Sequence, residues 1–143
     1  MIVALVCFAI LIWILWNSFS RKKQVLVELD LNIEKIRQRL YAIAQQAKVS
    51  IPNEFSVLES DYPYTRNKTT IHLPIRKGSI LYDDNTLMHV AIHELAHVIC
   101  PTEDTKNHGP VFLSIEKHLQ ESSSFLGFYD PEKPIDDSYP CGE

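Results

Sequence analysis

The stretch 89-HVAIHELAHVICP-101 is the feature that most constrains the fold of this 143-residue chain. Cap-forming residues, 83-DDNT-86, precede it, apolar residues fill most of positions 87–99, and Pro101 follows, a pattern that predicts a largely buried helix. Its three histidines recur at steps of four and therefore share one helix face. Because a buried imidazole without a partner is unfavourable, this helix requires something for those rings to bind.

The string 93-HELAH-97 has the spacing of a metal site. His93 and His97 can direct both imidazoles at one point, and a tetrahedral zinc ion accepts such a pair. Glu94 follows the first histidine, where zinc helices of the H-E-x-x-H pattern hold a carboxylate against the attacking water. The pattern predicts one Zn²⁺ ion as cofactor, and the alternative is that the histidines only pack.

A third ligand is required, and His108 is the best candidate. The loop 101-PTEDTKNHGP-110 is long enough to return the chain to the metal. Gly109 permits a sharp turn, and Pro110 suits the first position of a further helix, which we expect to end near Ser122. The competing ligands are Glu103 and Asp104 in the loop and Glu116 in that helix. Of the other histidines, we expect the following to pack or to lie at the surface: His89, His118 and His72.

A short hairpin is predicted between residues 55 and 82. The segment 64-YTRNKTTIHLPIR-76 should turn near Asn67-Lys68. Pro74 cannot donate a ladder hydrogen bond, so we expect this strand at a sheet edge. An edge strand either holds an extended peptide substrate by strand addition or is simply structural. Its residues would be Thr70, Ile71, His72 and Leu73.

The first 16 residues, MIVALVCFAILIWILW, contain no charged side chain. Extended to Ser20 as a helix, this run covers about 30 Å at ~1.5 Å per residue, enough to cross a bilayer. It predicts a transmembrane anchor over residues 1–20, a basic juxtamembrane segment over 21–29 and a folded domain over 30–143. The basic residues would keep that domain in the cytosol. A cleaved signal peptide and a buried core helix are the alternatives.

Residues 24–48 predict an amphipathic helix, which begins near Asp30 or Asn32 or continues from the anchor. Its apolar residues at steps of three and four are Ile33, Ile36, Leu40, Ile43, Ala44 and Ala47. From about residue 123 the chain has three prolines and no helical period, which predicts an irregular tail. We expect that tail to dock through Phe125, Leu126, Phe128 and Tyr129.

The charge balance excludes one class of partner. Outside residues 21–23, 11 lysines and arginines stand against 18 acidic residues, a net charge of −7. Because phosphate backbones attract basic surfaces, no nucleic-acid partner is expected. Cys100 and Cys141 are compatible with one disulfide or with two thiols in a reducing compartment.

The string HELAH, followed by HGPVF from His108, resembles the zincin metallopeptidases of the WLM and SprT-like groups, in which a histidine followed by glycine is the third ligand. The run over residues 60–142 is similar to small WLM-type metallopeptidases of large DNA viruses. The resemblance implies an α+β, zincin-like fold with an N-terminal helix, a small mostly antiparallel sheet, the HELAH helix and a C-terminal helix. The gap from His97 to His108 is longer than in typical WLM proteins and shorter than in SprT-like ones, and no zinc ribbon follows.

The expected function is a membrane-anchored zinc metalloendopeptidase that acts on a peptide or protein. A zinc-activated water would attack the peptide bond, with Glu94 as general base and then acid. Tyr139, Tyr129 and Tyr64 are candidates for stabilising the oxyanion, with simple packing as the alternative.

The anchor and the viral resemblance together predict a location and further partners. We expect a single-pass membrane protein, with its domain on the cytosolic side or in a virion membrane, in association with virion proteins. Two alternatives stay open: a catalytically inactive zinc-binding structural or virion membrane protein of the same fold, and a membrane-anchored interaction module.

Overall fold

The computed structural model describes residues 2–101 and 108–140, with the backbone alone for residues 2–6. The described residues form a small α+β structure, which is the class that the resemblance implies. Its elements are α1 (Ile2–Ala47), β1 (Ser56–Glu59), β2 (Tyr64–Arg66), β3 (Thr70–Leu73), β4 (Arg76–Lys77), β5 (Ile80–Leu81), α2 (Asp84–Ile99) and α3 (Pro110–Phe125). The chain divides into two compact units, Met1–Asn32 and Ile33–Glu143, and the second contains the sheet, α2 and α3.

The transmembrane anchor predicted for residues 1–20 is wrong. Among the described residues, no helix has a stretch both long enough and apolar enough to cross a bilayer. A span needs about 20 mostly apolar residues, but Trp16 is followed in α1 by Asn17 and Ser18 and then by the basic residues 21–23. The predicted single-pass location, on the cytosolic side or in a virion membrane, is wrong for the same reason.

The three-stranded sheet has the order β1-β3-β2. β1 runs parallel to β3, and β2 pairs antiparallel with β3. The turn between β2 and β3 lies at the predicted place, because Asn67 and Lys68 have φ angles of 53° and 56° and the Thr69 amide donates to the Arg66 carbonyl at 3.1 Å. Two consecutive left-handed residues are typical of the tight turns that match strand twist. β4 and β5 form a separate two-stranded ribbon.

The edge strand predicted at Thr70, Ile71, His72 and Leu73 is wrong. These residues form β3, which has a neighbour on each side, and β1 and β2 are the edge strands instead. The prediction relied on Pro74, which lies one residue beyond the end of β3. Its missing N–H therefore removes no hydrogen bond from the ladder.

The core of the second unit is built from the last turns of α1, the sheet, α2 and α3, which contributes the fully buried Phe112 and Leu119. From Ile36 to Ala47 the predicted apolar positions of α1 are buried. The helix does not begin at Asp30 or Asn32 but continues through them. α2 begins and ends as predicted, with Asp83 as N-cap accepting from the Thr86 amide at 3.0 Å. Its largest fully buried side chains are Met88, Ile92 and Leu95.

The tail after α3 is irregular, as predicted, and polar side chains of α2 bind it. Asn85 donates to the Asp130 carbonyl at 3.1 Å and accepts from the Asp130 amide at 2.8 Å. The Thr86 hydroxyl accepts from the Asp136 amide at 3.0 Å. Phe125 does not dock as predicted, because α3 continues to this residue and leaves its ring 78% exposed.

Candidate metal centre

The structure brings His93, His97 and His108 together. α2 carries the first two one turn apart, and the third lies just before Gly109, the N-cap of α3. The Nε2 atoms of His93 and His97 lie 3.2 Å apart, and those of His97 and His108 lie 3.1 Å apart. One nitrogen from each of the three rings lies within 4.8 Å of the other two.

This donor set fits zinc. Zn–N bonds of about 2.0–2.1 Å at tetrahedral angles place neighbouring nitrogens about 3.3 Å apart. The two spacings at His97 nearly match that value. Three imidazole nitrogens directed at one point cannot all be satisfied by one another, since each pair needs one donor and one acceptor. A cation at their centre would satisfy all three lone pairs together.

Phe112, in the first turns of α3, supports the three imidazoles. Its ring is fully buried, and its centroid lies 5.2 Å from that of His93 and 4.5 Å from those of His97 and His108. An apolar surface on one side of the cluster restricts both ring rotation and access of water. The HGPVF string thus supplies a histidine and the aromatic ring beside it.

Glu116 holds the far side of His93. Its carboxylate Oε1 lies 2.7 Å from His93 Nδ1. The contact makes Nδ1 the protonated nitrogen and leaves the Nε2 lone pair for a metal, as in many carboxylate–histidine–zinc arrangements. Burial disfavours the charged imidazole, but the hydrogen bond and charge of Glu116 outweigh this effect and raise the pKa of His93. The competing ligands Glu103 and Asp104, like Cys141, lie outside the described residues.

His97 is neutral near pH 7. Burial, together with the charges of His93 and His108, lowers the pKa of its imidazole to about 4. A neutral ring has the lone pair that a metal ion requires.

Glu94 is buried beside the histidines. Its side chain is 5% exposed, and burial raises the pKa of the carboxyl group. The Thr65 hydroxyl from β2 opposes that rise by donating to Glu94 Oε2 at 2.7 Å, and the same hydroxyl lies 3.0 Å from the Glu94 carbonyl. The candidate base therefore has one oxygen fixed by the edge strand.

A cleft of about 730 Å³ opens over this cluster. The β2–β3 hairpin and residues 135–140 form its walls, and α2 forms its floor. Lys68 lies in the turn between β2 and β3, and its ammonium group donates to the carbonyls of His97, at 3.0 Å, and Cys100. A cation at the last carbonyls of a helix is favourable, so Lys68 fixes the end of α2 on which His97 lies.

The tyrosines proposed as oxyanion stabilisers are engaged elsewhere. The buried hydroxyl of Tyr139, which lines the cleft, donates to the Pro74 carbonyl at 2.9 Å, and burial raises its pKa. The Tyr129 hydroxyl lies 3.1 Å from His89 Nδ1. Tyr64 stacks on His72, with ring centroids 4.2 Å apart. Their role toward an oxyanion stays a prediction.

The remaining histidines lie outside the three-ring cluster. His89 lines the cleft one turn before His93 and pairs with Tyr129, as expected for a packed neighbour. His118 Nε2 lies 3.0 Å from the Ala47 carbonyl.

Comparison with known proteins gives two similar viral proteins. The chain is 40% identical over 93 residues to uncharacterized protein 042R of Invertebrate iridescent virus 3, covering 64% of this chain and 57% of that protein. It is 36% identical over 94 residues to uncharacterized protein 136R of Invertebrate iridescent virus 6, covering 63% and 51%. The chain thus spans about half the length of the curated relatives it matches. No family model and no solved structure matches it.

Sequence reasoning missed part of this site. Thr65 was not singled out, because its contact with Glu94 joins residues 29 positions apart. Glu116 was considered as a metal ligand, but its carboxylate contacts His93 Nδ1, on the side of that ring away from the other two imidazoles. Phe112 entered the sequence analysis only as the last residue of the HGPVF string. No local pattern distinguishes these three residues from ordinary strand or helix positions.

Proposed function

We propose that the chain is a zinc-dependent metallopeptidase of the zincin kind, with His93, His97 and His108 as ligands and Glu94 as general base. The observation that carries the proposal is the convergence of three imidazole nitrogens beside a buried carboxylate, inside a cleft large enough for a peptide segment. Similarity to viral proteins is consistent with the resemblance to WLM-type enzymes of large DNA viruses.

In the proposed hydrolysis, each residue of the site has a separate role. When bound, zinc supplies a Lewis acid that polarises the scissile carbonyl and makes water a better nucleophile. Glu94 accepts the proton of the attacking water and then delivers it to the leaving amine. Glu116 keeps the Nε2 lone pair of His93 directed inward. The raised pKa of Glu94 suits a group that must both accept and release a proton.

The substrate is an extended peptide that lies along β2. Within the described residues β2 is an edge of the three-stranded sheet, and its residues Tyr64 and Thr65 line the cleft. Main-chain hydrogen bonds to an open edge hold a peptide in a fixed register, whatever its sequence. Such binding would place a peptide bond across the cleft above α2.

The decisive experiment measures zinc content and hydrolysis of an unfolded protein such as casein on the full chain. We expect about one zinc per chain and metal-dependent cleavage. Replacing the base, Glu94→Gln, should retain zinc but lower kcat by about 10²- to 10⁴-fold, the usual contribution of a general base. Glu121→Gln, at a carboxylate 65% exposed near Lys117, is the matched control and should stay fully active.

Three results would contradict the proposal. Equal activity of Glu94→Gln and the parent would reject Glu94 as base. Stoichiometric zinc in a parent protein that cleaves nothing would favour the alternative in which the metal serves structure alone. A stably folded chain that takes up no zinc would reject the metal centre itself.

A further inference from the structure

We propose that Thr65 is the positioning residue for the general base, so that the edge strand itself sets the geometry of Glu94. The inference rests on the proposed function, because it assigns a role relative to that base. It concerns a residue on β2, whereas Glu94 and two of the candidate ligands are on α2.

The geometry of the contact carries the inference. The Thr65 hydroxyl donates to Glu94 Oε2 at 2.7 Å, a length typical of a charge-assisted bond. It also lies 3.0 Å from the Glu94 main-chain carbonyl. One hydroxyl thus contacts both the carboxylate and the main-chain carbonyl of Glu94, and the Glu94 side chain is held against β2. Because Oε2 is engaged, Oε1 is the oxygen that can face a water in the cleft.

The surroundings leave Glu94 dependent on this contact. Its carboxylate is buried, and both Glu94 and Thr65 line the cleft beside His93. A glutamate side chain has three rotatable bonds, and an error of about 1 Å in a reacting group can cost about 10²-fold in rate. The Lys68 contacts fix the end of α2 but touch no atom of Glu94. Among the described residues, Thr65 is therefore the side chain that we assign to orienting the base.

A simpler explanation for threonine at this position is strand propensity, and two substitutions distinguish it from a positioning role. Thr65 is the middle residue of a short strand, and β-branched residues favour strands. If strand formation were its whole role, Thr65→Val would be harmless, and Thr65→Ser, which loses the branched methyl, would be the worse variant. If the hydroxyl positions Glu94, the order is reversed.

The test compares these two variants in the full, zinc-loaded protein. We expect Thr65→Val to lower kcat about 10- to 100-fold with KM and zinc content unchanged. Thr65→Ser should restore kcat to within about threefold of the parent, since it keeps the donor. Full activity of Thr65→Val, or equal losses in both variants, would overturn the proposal.

A second measurement does not depend on catalysis. In the zinc-free protein, Thr65→Val should lower the Tm by about 4 °C, because a buried carboxylate oxygen loses its donor. The same substitution in a Glu94→Ala background should lower the Tm by less, because only the contact with the main-chain carbonyl of residue 94 is then lost. An equal drop in both backgrounds would overturn the assigned contact. If the Tm drop depended on Glu94 but the parent protein had no peptidase activity, the contact would be supported and the proposed function rejected.

Discussion

The two sides of the histidine cluster are built differently. His93 and His97 lie on α2, which has a side-chain N-cap at Asp83 and a buried apolar face. His108 lies outside any helix, is exposed, and has a φ angle of 46°. Helix geometry alone aligns the first two rings, whereas the third depends on how α3 packs against α2.

The left-handed backbone of His108 is the clearest sign of this difference. Gly109 was expected to make the turn, yet it has an ordinary φ of −65° and the histidine takes the unusual conformation. A non-glycine residue in that region costs about 1–3 kcal/mol, and such strain persists where the surrounding structure enforces it. The loop side of the site therefore stores strain that the helix side does not.

The largest expected effect comes from removing a ligand on either side. His97→Ala and His108→Gly should each weaken zinc binding by more than about 100-fold, above the usual effect of an outer-shell partner. Only the second change relieves backbone strain, so zinc-free His108→Gly should unfold at the same or a higher urea concentration than the parent. Competition with a chelator measures zinc affinity, and urea titration measures stability. Clear destabilisation by His108→Gly would contradict the inference that the backbone at His108 is strained.

Loss of the outer partner of His93 should have a smaller effect. Glu116→Gln keeps an acceptor near Nδ1 but removes the charge, and zinc affinity should fall by about 10- to 100-fold. Chelator competition again gives the value, with Glu121→Gln as the exposed control on the same helix. Unchanged affinity would mean that the 2.7 Å contact does not hold the ring.

The cap of α2 should affect stability more than metal affinity. Asp83→Ala removes the acceptor for the Thr86 amide and should lower the free energy of unfolding by about 1 kcal/mol. Urea unfolding of the zinc-free protein provides the measurement. The zinc affinity of the folded protein should change by less than a factor of about three, because fraying is confined to the helix end and His93 and His97 lie more than two turns from the cap. A large loss of affinity would show that the helix side is less rigid than its packing indicates.

The smallest expected effect concerns an exposed ion pair on α2. Burial tends to raise the pKa of Asp84, but the hydrogen bond and charge of Lys35 and the charge of Arg39 outweigh it and lower the pKa. A carboxyl group with a lowered pKa stabilises the folded state above its unfolded pKa, and this contribution is lost as the pH falls through the folded value. Because the group is largely exposed, Asp84→Asn should lower the free energy of unfolding by only about 0.5 kcal/mol at pH 7. The difference from the parent should shrink as the pH falls through the lowered pKa of Asp84; a constant difference across pH would reject the ion pair as its source.

Local patterns were sufficient for much of the fold. The caps and apolar run of 83–101 predicted α2, and the Asn67-Lys68 pair predicted a hairpin turn that the structure contains. These features depend on neighbours within a few residues, so a single chain segment encodes them. Hydrophobicity by itself was misleading: Leu95 in α2 is fully buried, whereas Trp16 in α1 is 72% exposed. An apolar run predicts a helix but does not identify what the helix contacts.

By itself, the sequence determined the paired histidines and the glutamate on one helix, because a spacing of four residues is a property of the helix. It also identified His108 as the residue most able to join them. Only the tertiary structure decided that β3 is central, that Glu116 binds the far nitrogen of His93, and that Thr65 holds Glu94. Each of these depends on contacts between segments far apart in the chain, and side-chain directions across such contacts are set by packing rather than by local sequence.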